Sequence, residues 1–191
     1  MIKNPLQFQE KILSQKINKM KSYKHFETER LILQPTTSAD AEFIFELVNT
    51  PKWLVNIGDR NVKSVDDAEA YIKDRMTTQL EKLGYGNYTL IRKADKIKIG
   101  TCGLYDREGL EGVDIGFALL PAYENMGYGF ESAAKLLEVG IKEFHLNKIS
   151  AITTKDNISS QKLIEKLGLK YIKPIKIPND ENDLLLYSIN C

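Results

Sequence analysis

Apolar positions along the chain fall first at helical and then at strand spacing. Leu6, Leu13, Ile17 and Met20 share one face among lysines, which predicts an amphipathic helix over residues 5–20. Leu31-Ile32-Leu33 reads as a short strand closed by Pro35. Ser38 is a suitable N-cap for a helix Ala39–Asn49, whose Ala41, Ile44, Phe45 and Val48 line up before Pro51 ends it. An irregular loop, Trp53–Lys63, follows. Ser64 with Asp67 has the spacing of a shortened capping box, opening a helix over about 65–83 that Gly84 terminates. Three β-rich runs come next: Asn87–Arg92, Ile97–Leu104 and Val113–Leu120. A hairpin-like turn, Lys93–Lys96, joins the first two, and the glycine-bearing Asp106–Gly112 leads to the third. Then come a helix over about 128–144, strand Lys148–Thr154, helix Ile158–Leu167, and strands near 169–177 and 183–189. Hairpins give way to strand–helix crossovers, so the predicted class is α+β, a mixed twisted sheet with helices on its faces.

Composition changes that picture little. With 191 residues and 42% hydrophobic content the chain suits one domain with a substantial core. The net charge of +1 hides an asymmetry. Residues 1–24 hold six lysines against Glu10 alone, about +5. The remainder, 21 basic against 25 acidic residues, is about −4. The expected organisation is therefore a helical extension, 1–24, and a domain, 25–191. A negative domain argues against nucleic acid as partner. Cys102 and Cys191 lack metal-ligand spacing and fit a reduced, intracellular protein. No apolar run is long enough to cross a bilayer, and lysines interrupt any secretory signal, so the expectation is a cytoplasmic protein without membrane partner or metal. Helix 5–20 is a candidate dimer surface.

The most telling stretch is the buried run Val113–Leu120, stopped by Pro121, then Glu124-Asn125-Met126-Gly127-Tyr128-Gly129-Phe130 opening a long helix. A strand, a glycine-spaced turn and a helix start leave unpaired N–H groups aimed at one point, where the helix dipole favours an anion. A dinucleotide-fold reading fails, because Ser132 takes the third glycine position and no acidic residue ends a following strand about 20 residues on. A nucleotide P-loop fails for want of Gly-Lys-Ser/Thr. Downstream, Asn157-Ile158-Ser159-Ser160 opens a helix that closes on Glu165-Lys166-Leu167-Gly168, with Asn157 as N-cap and Gly168 as left-handed C-cap.

Together the two motifs resemble the GNAT family of N-acetyltransferases, in the branch of the ribosomal-protein acetyltransferases RimJ and RimL. The resemblance implies the GNAT fold: a mostly antiparallel sheet splayed at its centre, with helices on both faces. It implies acetyl-CoA as co-substrate and a primary amine, protein N-terminus or small molecule, as acceptor. By the same resemblance Phe117, Ala118, Leu119 and Leu120, the turn Glu124–Phe130, and Asn157 with Ser160 bind the cofactor. Glu124 departs from the family's Gln/Arg; a carboxylate there is unfavourable beside a diphosphate unless it points to solvent. Asn125 stands where the branch often has glycine and is the residue that best tolerates a left-handed backbone.

Acetyl transfer needs a neutral amine, a stabilised oxyanion and a proton for the thiolate. Amides around Phe117–Leu119 can serve the oxyanion. Asp114 is the candidate base: it occupies a strand position where the family often carries glutamate, on the face of Gly116 and Ala118. The alternative is an exposed strand aspartate beside Glu111. The family's tyrosine acid falls at Ile164, which leaves Ser160 as the candidate acid. Trp53, Asp59 and Arg60 in the loop between the first helices, Tyr85 between two glycines, and Tyr105-Asp106-Arg107 are candidates for the acceptor wall; Trp53 reads equally as a core anchor, and Asp59 with Arg60 as a structural pair. The −4 balance favours a cationic acceptor. A non-catalytic acyl-CoA sensor or interaction module is the rival reading, on the strength of Glu124 and the missing tyrosine.

Overall fold

The computed structural model describes residues 23–178 and 183–191; the predicted helix 5–20 lies outside them. Eight strands form one sheet in the order β1-β2-β3-β4-β5-β6-β8-β7. They are β1 (Phe26–Glu27), β2 (Leu31–Pro35), β3 (Asn87–Arg92), β4 (Lys98–Tyr105), β5 (Val113–Leu119), β6 (Lys148–Thr154), β7 (Lys170–Ile175) and β8 (Leu184–Asn190). All neighbours run antiparallel except β5 and β6. That parallel pair shares only Val113↔Ile149 and Asp114↔Ser150 before the strands part. The sheet is thus open at its middle, beside residues 115–119.

Helices cover both faces. Over one face lie α5 (Tyr128–Lys142) and α6 (Ile158–Lys166), burying Ala133, Leu136, Val139 and Ile164 on Ile115, Leu104 and Ile149. Over the other lie α1 (Ala41–Val48), α2 (Pro51–Asn56) and α3 (Val65–Tyr71), with Ile44, Leu47, Trp53, Ala68 and Ile72 gathered around Leu120 and Ala118.

Some local expectations need correction. Pro51 begins a helix instead of only ending one: it sits at the first helical turn, where a missing N–H costs nothing, and so Trp53 is helical. Ser38 is inside a 3₁₀ turn capped by Thr37, whose N–H bonds Asp40 Oδ2 at 2.8 Å. The predicted helix 65–83 is α3, then a π-helical stretch Ile72–Thr77, then α4 (Thr78–Leu83). Its start is as expected, with Ser64 Oγ accepting from Asp67 N at 3.1 Å. Pro35 pairs with Tyr88 as the last residue of β2, with no N–H to lose at a strand end.

The packing of β4 on β5 requires Gly100. A Cβ there would lie 2.4 Å from the Ala118 carbonyl oxygen and 3.0 Å from Leu119 Cα, both backbone atoms. Gly100→Ala is expected to destabilise the domain by about 2 kcal/mol or more. A urea midpoint equal to wild type would contradict this.

Candidate active site

β5 ends where Leu120 N bonds the Ile99 carbonyl, and the chain turns through Pro121–Tyr123. Tyr123 N and Glu124 N are taken by Leu120 O and Pro121 O. Beyond them Asn125 (φ 57°) and Gly127 (φ 85°) are left-handed, which rolls the chain into the start of α5. Among the described residues, the amides of Asn125, Met126, Gly127, Tyr128, Gly129 and Phe130 have no hydrogen-bond partner; Glu131 N is the first to be bonded within the helix. They surround the positive end of a 15-residue helix. Gly129 lets that helix sit close: a Cβ would meet Leu163 at 3.1 Å and Leu119 and Phe117 at 3.7 Å.

The turn carries two carboxylates, and each meets a cation from another element. Glu131 receives Arg30 Nε at 2.7 Å, Arg30 N at 2.9 Å and Thr28 Oγ1 at 2.5 Å. Arg30 also bonds the Met126 carbonyl at 3.0 Å and lies over the Tyr128 ring. Glu124 does not point to solvent. Its side chain is 19% exposed and paired with Lys52 of α2. Lys52 and Arg30 carried no motif and escaped the sequence reading; their only signal is charge, and their partners lie far along the chain.

Beside the turn is the parted edge. Leu120 N bonding to β4 sets the alternation, so Gly116 and Ala118 spend their backbone groups on β4 while those of Phe117 and Leu119 face the gap toward β6. Leu120 itself is engaged, with its side chain in the second core cluster. Across the gap, α6 starts at Asn157, whose Oδ1 accepts from Ser160 N at 3.2 Å and Ser159 Oγ at 3.0 Å. The Ser160 hydroxyl has no partner among the described residues. Ile164 is buried in the core.

On the opposite face Asp114 shares its side with Gly116 and Ala118, yet it is not an exposed aspartate: it is 2% accessible. Its Oδ2 receives Arg107 Nε at 2.9 Å and Nη2 at 2.8 Å, while Oδ1 makes no bond of normal geometry among the described residues. Burial pushes the Asp114 carboxyl above its ordinary value, against the pull of the Arg107 charge and the Ile152 amide. Glu111 instead pairs with Lys148. Tyr105 lies against Gly103, where a Cβ would meet its ring at 2.5 Å, and against Gly116, where a Cβ would press on it at 3.1 Å. Its hydroxyl donates to Asn87 Oδ1, whose amide donates to Thr36 Oγ1 at 2.8 Å, and Thr36 meets Thr89 at 2.9 Å. Burial pushes the Tyr105 phenol well above its usual range. A polar seam therefore runs beneath the helices of this face.

The other acceptor candidates separate. Trp53 is in the core, 8% exposed, and its Nε1 has no partner among the described residues. Asp59 and Arg60 do not pair: Asp59 Oδ1 accepts from Asn61 N at 2.6 Å and Arg60 Nη2 donates to Ile57 O at 3.1 Å. Tyr85 packs on Phe144 at 5.1 Å, on the face covered by α5 and away from Asp114. Among the described residues no group of three or more His, Cys, Asp or Glu side chains could hold a metal, and no helix is long and apolar enough to cross a membrane.

Comparison with known proteins bears on this arrangement. Residues 30–170 match the family model described as Acetyltransferase (GNAT) domain. The chain is 27% identical over 146 residues to the uncharacterized N-acetyltransferase YnaD of Bacillus subtilis (strain 168), covering 76% of this chain and 82% of that one. Its fold is similar to an acetyltransferase (GNAT family) from Bacillus anthracis, with TM-score 0.71 at 25% identity over 87% of this chain and 98% of that one. It is also similar to RimL, a ribosomal L7/L12 alpha-N-protein acetyltransferase solved in complex with coenzyme A. There the TM-score is 0.73 over 87% and 98% of the two chains, and the 14% identity speaks for the fold alone.

Proposed function

The chain belongs to the GNAT acetyltransferase family and is an acyltransferase, and from that premise we propose that it moves an acetyl group from acetyl-CoA to a primary amine by direct transfer in a ternary complex. The observation that carries this reading is the row of unpartnered amides at Asn125–Phe130 beside the parted β5–β6 edge. Oriented N–H groups at a helix start bind a diphosphate through charge-assisted hydrogen bonds. The strand edge pairs with the amides of the pantetheine arm as an added strand does. RimL, of the same fold, binds coenzyme A. Residues 25–191 form the catalytic domain, with 1–24 as an extension. The acceptor is a peptide N-terminus or a small amine, approaching from the Asp114 face. The free cysteines fit a cytoplasmic protein.

In the reaction the amine nitrogen attacks the thioester carbonyl, and the N–H groups of Phe117 and Leu119 receive the oxyanion. Asp114 Oδ1 takes the amine proton through a water, since the carboxylate is enclosed. The carbon–sulfur bond then breaks, and the thiolate collects a proton relayed from solvent water through the Ser160 hydroxyl, which ends the step neutral. A thiolate is already a stable leaving group, so Ser160→Ala is expected to lower kcat by only about tenfold. A full rate in that variant would remove the serine role.

Two measurements test the function: thermal stabilisation by acetyl-CoA, and thiol release against panels of amines and peptides. Stabilisation with turnover is expected. Stabilisation without turnover on any acceptor would leave a sensor of acyl-CoA, and absence of stabilisation would reject both.

A further inference from the structure

We propose that Lys52, contributed by the acceptor-side helix α2, is a positioning residue for the cofactor: it cancels the Glu124 carboxylate so that the turn can accept a diphosphate. This rests on the reading of Asn125–Phe130 as the diphosphate site. Glu124 adjoins the first unpartnered amide, and its largely enclosed side chain cannot swing freely into water. Alone it would place a negative charge beside a dianionic ligand. Glu131, in the first turn of α5, poses the same problem and is answered by Arg30. With both pairs made, the four side chains sum to zero, and the amides and helix dipole act unopposed. Without Lys52 the balance becomes −1. Lys52 is 63% exposed, and its removal opens no hole in the core. The pair also joins the cofactor turn to α2, the element that carries Trp53.

Repulsion between one charge and the diphosphate, discounted for screening by water, predicts an approximately tenfold weaker affinity for coenzyme A in Lys52→Ala. Titration calorimetry with coenzyme A on the full chain tests this in wild type, K52A, K52R, E124Q and K52A/E124Q. The expected pattern is an approximately tenfold loss in K52A alone, wild-type affinity in K52R, and affinity equal to or tighter than wild type in both E124Q and the double variant. At saturating acetyl-CoA, kcat of K52A should stay within about twofold of wild type, because only binding is altered. Wild-type affinity in K52A would overturn the proposal. So would a double variant as weak as K52A, which would mean that Lys52 does not act through Glu124. Failure of the wild-type protein to bind coenzyme A is a separate outcome and would sink the diphosphate site itself.

Discussion

Gly127→Val is expected to weaken coenzyme A binding by about 100-fold while the domain still folds. Gly127 holds φ 85°, ψ −4° at the N-cap of α5, a conformation that costs an L-residue about 1–2 kcal/mol and a β-branched one more. Relaxing toward negative φ would rotate the Gly127 and Tyr128 amides away from their common focus. The new Cβ would also stand 3.2 Å from Arg30 Nη2, the guanidinium that holds Glu131 and the Met126 carbonyl. Losing two aligned bonds to an anion at about 1.5 kcal/mol each, the low end for bonds to a charged group at a solvent-facing turn, accounts for a loss of about 100-fold. The stability loss should be about 2 kcal/mol, since the position is exposed. Calorimetry and urea unfolding separate the two effects, and wild-type affinity in this variant would contradict the account.

Asp114→Asn is expected to lower kcat/KM by about 100-fold or more and to abolish the acidic limb of the pH–rate profile. The base works only when ionised, so the wild-type rate should fall as pH drops through the carboxyl's own pKa. Burial raises that value above the ordinary one, and the limb should appear at a higher pH than an exposed aspartate would give. The effect on stability has the opposite sense to that of a surface salt bridge. A raised pKa means the native state holds the proton more tightly than the unfolded chain does. Between the ordinary and the raised value, stability from this group therefore grows as pH falls and shrinks as pH rises. The neutral asparagine avoids that cost, and Arg107, one-third exposed, can turn toward water. A slow, fully folded variant is the expected result. An unchanged profile would leave Asp114 with a purely structural part.

Local chemistry was legible in the sequence wherever a residue acts on its own neighbours. β3 and β6 occupy the predicted ranges, Asn157 caps α6, and Gly168 is left-handed at φ 94°. The alternation that sets Asp114, Gly116 and Ala118 on one face also holds, because period-two geometry needs nothing but the strand itself. What escaped depends on distant partners. Nothing near Glu124 announces Lys52, 72 residues earlier. The sequence leaves Asp114 open between a base and an exposed strand aspartate, and only its burial and its pairing with Arg107 exclude exposure. The π-helical stretch Ile72–Thr77 keeps the apolar spacing of an ordinary helix, so periodicity alone cannot mark it. Chain position alone marks the candidate acceptor residues, and tertiary packing sorts them: Trp53 inward, Tyr85 to the other face, Asp59 within its own loop and Arg60 against Tyr71 of α3.

The central claim is that the free amides of the turn and of the strand edge are the seat of coenzyme A. Nitrogen-15 amide resonances recorded during a coenzyme A titration test it most directly. The account predicts that the largest shifts cluster on Asn125–Phe130 together with Phe117 and Leu119. Saturable binding that leaves those resonances in place and moves others would contradict it.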